Sequence, residues 1–233
     1  MIPLRDNIFS FCTPFVAYAL IILNVLVFFV ELSLGDRLMS LLKTFGFVPS
    51  RFVFAVGQGN LMDAAMPIFT SMFLHGGWLH LIGNMWTLFI FGDNVEDTLG
   101  HGTFLLFYLL TGLVAALTQF MVAPGSRVPV VGASGAIAGV MGAYFYLFPS
   151  ARVLTLVPIL FFVIIEVPAY IFLGFWFLMQ FWSGTLAVLG PAAKVGGVAF
   201  WAHVGGFVAG FLLLLVFLPG QAKERWQKKI KPA

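Results

Sequence analysis

Six apolar stretches follow one another along this chain, each close to the length of a membrane-spanning helix. A bilayer hydrocarbon core of about 30 Å takes roughly 20 helical residues to cross, and a spanning helix satisfies its own backbone hydrogen bonds. We therefore predict an all-α, polytopic membrane protein, a six-transmembrane-helix bundle that forms one domain over residues 1–233. The predicted spans are 13–34, 79–95, 103–122, 134–148, 169–182 and 197–217.

Composition supports this class and excludes a soluble domain. Hydrophobic residues make up 61% of the chain and charged residues 9%, and the mean hydropathy is +1.03. A long loop, 35–78, joins the first two spans, and a basic tail, 221–233, follows the last one. The stretch 154–165 is apolar but short, so we expect an interfacial or re-entrant segment there. The first span lacks a small-residue cleavage site, which favours a retained anchor over a signal peptide.

The charge pattern predicts how the chain sits in the membrane. Six spans place both termini on one side, and with both in the cytoplasm seven of the twelve Lys and Arg residues lie inside. The basic tail is typical of a segment that faces lipid headgroups. We predict an integral multi-pass protein of the plasma membrane. The net charge of +3 is too small and scattered to indicate nucleic acid, and the single Cys12 excludes an intrachain disulfide.

Four polar side chains interrupt the apolar spans. His80 and Asn84 lie near the start of the second span, Ser134 opens the fourth, and His203 lies about six residues into the sixth. Because all three spans run inward in this topology, the four side chains occupy the outer half of the membrane at similar depth. Polar groups at such positions are costly and usually functional.

Together these residues favour acyl-transfer chemistry. A serine becomes nucleophilic when a histidine accepts its proton. No Asp or Glu lies near the outer ends of these spans, so we predict a dyad of Ser134 and His203. His80, Asn84 and the Ser134 backbone N–H are candidate oxyanion donors. The fourth span is only roughly 22 Å long, which places Ser134 below the membrane surface, where irregular backbone must line a wet cavity.

Small residues explain how the two helices of this dyad can approach. The fourth span carries Gly135, Gly139 and Gly142 on one stripe, and the sixth carries Gly206 and Gly210 on the face of His203. Small residues at this spacing let membrane helices pack backbone to backbone. Such packing would bring the Ser134 hydroxyl within hydrogen-bonding reach of His203.

Other interpretations of the same residues stay open at this point. A serine at a helix start is most often an N-cap, and a lone histidine in a membrane helix can be a packing residue. His80 and His203 could be axial haem ligands, although their neighbours form a polar set. Metal-dependent hydrolysis is disfavoured because no carboxylate completes a three-ligand site. We expect no metal and no cofactor, and we expect His101 to be solvated.

Four motifs occur in an order that resembles the rhomboid intramembrane serine proteases. They are FLHGGWLH at 73–80 with Asn84 after it, GDNVED at 92–97, GASG at 132–135 and AHVGG at 202–206. The glycine–serine motif alone is weak, whereas its combination with the histidine motifs is specific. The resemblance covers the chain from the first span to the sixth.

The resemblance implies a six-helix rhomboid-like bundle that cleaves single-pass transmembrane proteins in the lipid bilayer. By match to the motifs, Ser134 would be the nucleophile and His203 the general base and acid. His80 and Asn84 would occupy the oxyanion positions. His75, Gly132 and Gly135 would be structural residues near the site. The alternative is a non-catalytic rhomboid-like protein that binds membrane clients.

Two departures from the family pattern matter. Members often carry a Trp-Arg pair in the first loop, where this chain has Met66 and Pro67. Some members place a tyrosine four residues after the serine to stack on the catalytic histidine, where this chain has Ala138. A group other than this tyrosine must then orient His203.

Two further hypotheses concern residues outside the dyad. We expect aromatic residues of the fifth and second spans to form a lateral gate for substrate: Phe175, Trp176, Phe177, Phe181 and Trp182, with Trp86, Phe89 and Phe91. The acids at 92–97 end a helix, where the helix dipole disfavours anions. We expect them to pair with Arg152 or to cap the next helix.

Overall fold

The computed structural model describes residues 1–158, 162–189 and 198–218. Most of that part is helical: α1 Phe15–Ser33, α2 Leu38–Phe45, α3 Pro49–Gly57, α4 Leu61–Thr70, α5 Trp78–Leu99, α6 His101–Val122, α7 Ser134–Leu147, α8 Ala169–Leu189 and α9 Phe200–Phe217. Short 3-10 helices cover Gly35–Arg37 and Ser71–Phe73. The strands are β1 Ile2–Arg5, β2 Arg152–Pro158 and β3 Phe162–Pro168. The predicted tail, 221–233, lies outside the described residues.

Four helices of the described part are long and apolar enough to cross a membrane: α1, α6, α8 and α9. α5 has 22 residues, but polar side chains near both of its ends, such as His80 and Asp93, lower its hydropathy. α7 has only 14 residues, which is about 21 Å of helix. The four long apolar helices make the chain an integral membrane protein. α5 and α7 do not meet the same requirement, and their place in the bundle depends on their packing against the other helices.

α7 lies at the centre of the bundle, in contact with α5, α6, α8 and α9. Nearly all of its residues are buried. A Cβ atom on Gly206 of α9 would lie 2.0 Å from the Gly135 carbonyl oxygen, and one on Gly210 would lie 1.9 Å from that of Gly139. The backbones of α7 and α9 therefore touch along the two glycine stripes, as the small-residue pattern predicts.

A small antiparallel sheet, in the order β1-β2-β3, accompanies the helices. The purely all-α prediction missed it, and strands β2 and β3 occupy most of the stretch 154–165 that we expected to be interfacial or re-entrant. Alternate side chains of β2 are buried, as expected for a strand: Val153 and Thr155 are fully buried, while their neighbours are at least partly exposed. β-branched residues are frequent in both strands, which suits a pleated surface.

The long connection 35–78 is a folded segment that contains α2, α3 and α4. Phe47 pairs through its backbone with Val130, in the connection between α6 and α7. Phe47, Ile68 and Ala116 form a separate apolar cluster that attaches this segment to α6. The Arg51 guanidinium donates to the Thr44 carbonyl oxygen at 2.6 Å. These contacts hold the segment in place in a chain that lacks the family's Trp-Arg pair.

Candidate active site

Ser134 and His203 form a hydrogen-bonded pair. Ser134 is the first residue of α7 and His203 is the fourth residue of α9. Their Oγ and Nε2 atoms are 2.7 Å apart. The close approach of the two backbones at Gly135 and Gly206 creates this distance, because side chains larger than hydrogen would hold the helices apart. A serine hydroxyl in this position can pass its proton to the imidazole.

The second ring nitrogen of His203 contacts a residue that the sequence analysis missed. Gln180 of α8 places its Oε1 atom 2.8 Å from His203 Nδ1. One turn earlier on α8, the Trp176 ring lies beside the imidazole, with centroids 5.8 Å apart and an angle of 35° between the planes. The contacts of His203 therefore come from α8, in a chain that has Ala138 where some family members have a tyrosine. A polar residue within an apolar helix was the available signal for Gln180.

Gly132 brings the loop before α7 against α5. Its φ of 120° lies in the region that favours glycine, and its backbone N–H donates to the Ser71 carbonyl oxygen at 2.9 Å. A Cβ atom at this position would lie 2.5 Å from His80 Nε2 and 3.5 Å from Asn84 Nδ2. His80 and Asn84 therefore converge on the loop that leads directly into Ser134.

Both α5 side chains present N–H groups toward this loop. The Gly76 backbone N–H donates to His80 Nδ1 at 3.4 Å, so neutral His80 carries its own proton on Nε2, the atom nearest Gly132. Asn84 is buried, and its Nδ2 has no hydrogen-bond partner among the described residues. A buried donor without an acceptor is costly, and an anion or polar substrate oxygen would satisfy it.

His75 is buried and lies next to His80. Its ring meets the His80 ring edge to face, with centroids 5.1 Å apart. Its backbone N–H donates to both carboxylate oxygens of Glu31 in α1, at 3.1 and 3.2 Å. Burial, with a smaller contribution from His80, lowers the pKa of His75 to about 4, so this imidazole is neutral at pH 7. Gly135 packs against α6, where a Cβ atom would lie 2.7 Å from the Ala115 Cβ.

The carboxylates of the GDNVED segment lie near the other end of α5 and have structural contacts. Glu96 accepts the Val16 and Ala17 backbone N–H groups at 2.9 and 2.7 Å, and thereby caps the start of α1. Asp97 accepts the Phe11 backbone N–H at 3.1 Å. Among the described residues, these carboxylates form no ion pair with Arg152, which corrects the first expectation. The helix that Glu96 caps is α1, whereas we expected the helix that follows α5.

Two other expectations need correction. His101 is not merely solvated, because its Nδ1 lies 2.5 Å from Glu96 Oε1. Phe91, expected in the gate, is fully buried against the Tyr144 and Phe172 rings.

Within the described ranges, no group of three or more His, Cys, Asp or Glu side chains could hold a metal ion.

The fold and the site define a class of protein: an integral membrane protein that holds a serine–histidine pair between two closely packed helices. The chain belongs to the rhomboid family, since the Rhomboid domain matches residues 63–220. This relationship supports an intramembrane protease in general, within a family that also has inactive members.

Curated relatives come from bacteria and from organelles. The chain is 32% identical over 199 residues to the rhomboid protease GluP of Bacillus subtilis, an alignment that covers 85% of this chain and 34% of GluP. It is 28% identical over 220 residues to the mitochondrial rhomboid protein 1 of Saccharomyces cerevisiae, which covers 93% of this chain and 57% of that protein. This chain therefore spans about a third of the first relative and just over half of the second.

Proposed function

We propose that this protein is an intramembrane serine endopeptidase that cleaves transmembrane segments with a dyad of Ser134 and His203. The observation that carries the proposal is the 2.7 Å contact between Ser134 Oγ and His203 Nε2. Membership of a family with protease-named relatives supports the same reaction class. No metal or cofactor is needed for this chemistry.

The reaction follows from the two atoms in contact. Ser134 Oγ attacks the peptide carbonyl carbon while His203 Nε2 takes the hydroxyl proton. The tetrahedral intermediate collapses as His203 returns that proton to the leaving amine, which breaks the C–N bond and leaves an acyl-serine. A water molecule then gives its proton to His203 and attacks the ester, and the Ser134 hydroxyl is restored as the second product leaves.

The tetrahedral oxyanion needs donors beside Ser134. The orphaned Asn84 amide and the His80 Nε2–H, both close to Gly132, support this role together with the Ser134 backbone N–H at the start of α7. Preorganised donors of this kind typically contribute about 3–4 kcal/mol each to transition-state stabilisation. His75, Gly132 and Gly135 have supporting roles through their contacts with His80 and α6.

The proposed topology has six spans, with α5 and α7 added to the four helices that meet the length and hydropathy requirement. Both termini are cytoplasmic and the membrane is the plasma membrane. α7 then begins below the outer surface, at the level of the dyad, and its shortness leaves room for water above it. The proposed substrates are single-pass transmembrane proteins, which reach the dyad laterally from the lipid bilayer.

Substrate access is proposed to occur beside α8 and α5. Phe175 and Trp182 of α8 are exposed, as are Trp86 and Phe89 of α5. Trp176 and Phe177 instead pack on Phe207 of α9. The exposed set suits a lipid-facing gate, and its replacement by smaller residues should change the cleavage rate.

The decisive experiment uses full-length protein reconstituted in proteoliposomes with a labelled single-pass substrate. The wild type should release a fragment cut within the membrane segment, and Ser134→Ala and His203→Ala should release none. A fluorophosphonate probe should label the wild type at Ser134 only. A wild type that binds the substrate without cutting it would overturn the proposal and favour a client-binding protein.

A further inference from the structure

His203 has two hydrogen-bond partners, and each occupies a different ring nitrogen. Nε2 lies 2.7 Å from Ser134 Oγ, and Nδ1 lies 2.8 Å from Gln180 Oε1. A neutral imidazole carries one proton, so one nitrogen accepts and the other donates. The partner of Nδ1 therefore decides which atom is free to act on Ser134.

Only one of the two tautomers allows His203 to act as a base on Ser134. Nε2 can accept the hydroxyl proton only when the imidazole proton is on Nδ1. That Nδ1–H group needs an acceptor in a buried environment, and an amide oxygen can accept but cannot donate. The contact with Gln180 Oε1 therefore stabilises the tautomer that leaves Nε2 unprotonated.

We infer that Gln180 is the positioning residue of this site, which holds His203 in the tautomer and ring orientation needed for proton transfer from Ser134. This inference rests on the proposed function. In a serine–histidine–carboxylate triad, the carboxylate has this role. Gln180 has the same geometric function with a neutral acceptor, which avoids placing an additional charge in the membrane.

The packing of α8 on α9 brings Gln180 to its place. Trp176, one turn before it, lies against the His203 and Phe207 rings. One turn after it, a Cβ atom on Gly184 would lie only 3.0 Å from Trp201 Nε1. Three successive turns of one α8 face thus contact α9. The alignment of His203 consequently depends on the position of α8, the helix that the proposed substrate path passes.

The test compares Gln180→Leu, which removes the acceptor, with Gln180→Glu, which keeps an oxygen acceptor at the same place. Gln119→Leu is the matched control, because it makes the same change in α6. We expect Gln180→Leu to lower kcat by about 10- to 100-fold, a loss of the size typical when a partner that orients a metal-binding histidine is removed, with KM within about twofold. Gln180→Glu should recover most of that loss, and Gln119→Leu should resemble the wild type.

A spectroscopic measurement reads the tautomer without substrate. The chain has four histidines, so 15N-histidine spectra in detergent can be assigned with His203→Gln. The wild type should show His203 protonated on Nδ1, and Gln180→Leu should show a mixture of tautomers. If Gln180→Leu melts at a lower temperature than the wild type, Gln180→Met provides a second variant without an amide oxygen.

Failure of this inference is distinct from failure of the proposed function. An unchanged kcat and tautomer in Gln180→Leu, beside an active wild type and an inactive Ser134→Ala, would overturn the role of Gln180 alone. An equal loss in Gln180→Leu and Gln180→Glu with no change of tautomer would also overturn it. A wild type that cannot cleave any substrate would reject the proposed function, and the role of Gln180 in proton transfer with it.

Discussion

Gly206 of α9 lies directly against the backbone of Gly135 in α7, so closely that a Cβ atom at position 206 would be 2.0 Å from the Gly135 carbonyl oxygen. Ser134 immediately precedes Gly135, and His203 lies one turn before Gly206 on α9. The contact between these glycines therefore sets the distance across the serine–histidine pair.

Gly206→Ala should separate α7 from α9 and abolish cleavage. Overpacking of this kind typically costs about 1–3 kcal/mol of unfolding free energy, and the separated side chains would lose their hydrogen bond. Proteoliposome cleavage and thermal melting measure both effects. The control is Gly102→Ala in α6, where a Cβ atom would have nothing within 4 Å. Full activity in Gly206→Ala would contradict the packing argument.

Gly132→Ala should impair catalysis more than stability. The residue has a φ of 120°, and a Cβ atom would lie 2.5 Å from His80 Nε2. Displacing His80 from the loop would remove a proposed oxyanion donor, which typically lowers kcat by about 100- to 1,000-fold. Steady-state kinetics would show the loss. Gly125→Ala, in the same connection with nothing within 4 Å of its Cβ position, should remain active.

Glu96→Gln should destabilise the fold and leave the activity per folded molecule unchanged. Each carboxylate oxygen accepts one backbone N–H at the start of α1, and an amide has only one oxygen for these two donors. We expect a loss of about 1–3 kcal/mol, measured as a lower melting temperature and a lower folded yield. Glu166→Gln, an exposed change in β3, is the comparison. A stable Glu96→Gln protein without turnover would contradict this structural role.

The stability of the protein should depend on pH through His75. Burial lowers its pKa to about 4 from an ordinary 6.5, so the unfolded state binds more protons than the folded state between these values. The contribution of His75 to the free energy of unfolding should therefore rise with pH across this window, by roughly 3 kcal/mol, and should be constant above it. His75→Gln should remove this part of the pH dependence when unfolding is followed in detergent from pH 4 to 7. A His75→Gln profile parallel to that of the wild type would show that this ring does not titrate as described.

The residues around Ser134 were predictable because the membrane makes polar side chains informative. His80, Asn84 and His203 stand out in apolar spans, and the glycine stripes indicate which helices touch. Their common depth in the membrane is a prediction that depends on the six-span topology. Gln180 is also a polar residue in an apolar helix. The direction of its side chain depends on how Trp176 and Gly184 pack on α9, and a single sequence does not show how α8 is rotated about its axis.

The sheet was missed for a different reason. We interpreted the stretch 154–165 by its length and apolarity, and neither separates a membrane-surface segment from a pair of strands. β2 pairs with β1, a strand at the start of the chain and about 150 residues away in sequence. A pairing of such long range leaves only a weak local signal.

The order in which these parts leave the ribosome has a consequence for the newly made chain. α1 is synthesised long before Glu96, so its first backbone N–H groups lack their cap until most of α5 exists. Ser134 likewise precedes His203 by 69 residues. A nascent chain therefore cannot form the hydrogen bond between Ser134 and His203 until the last described helix has been synthesised.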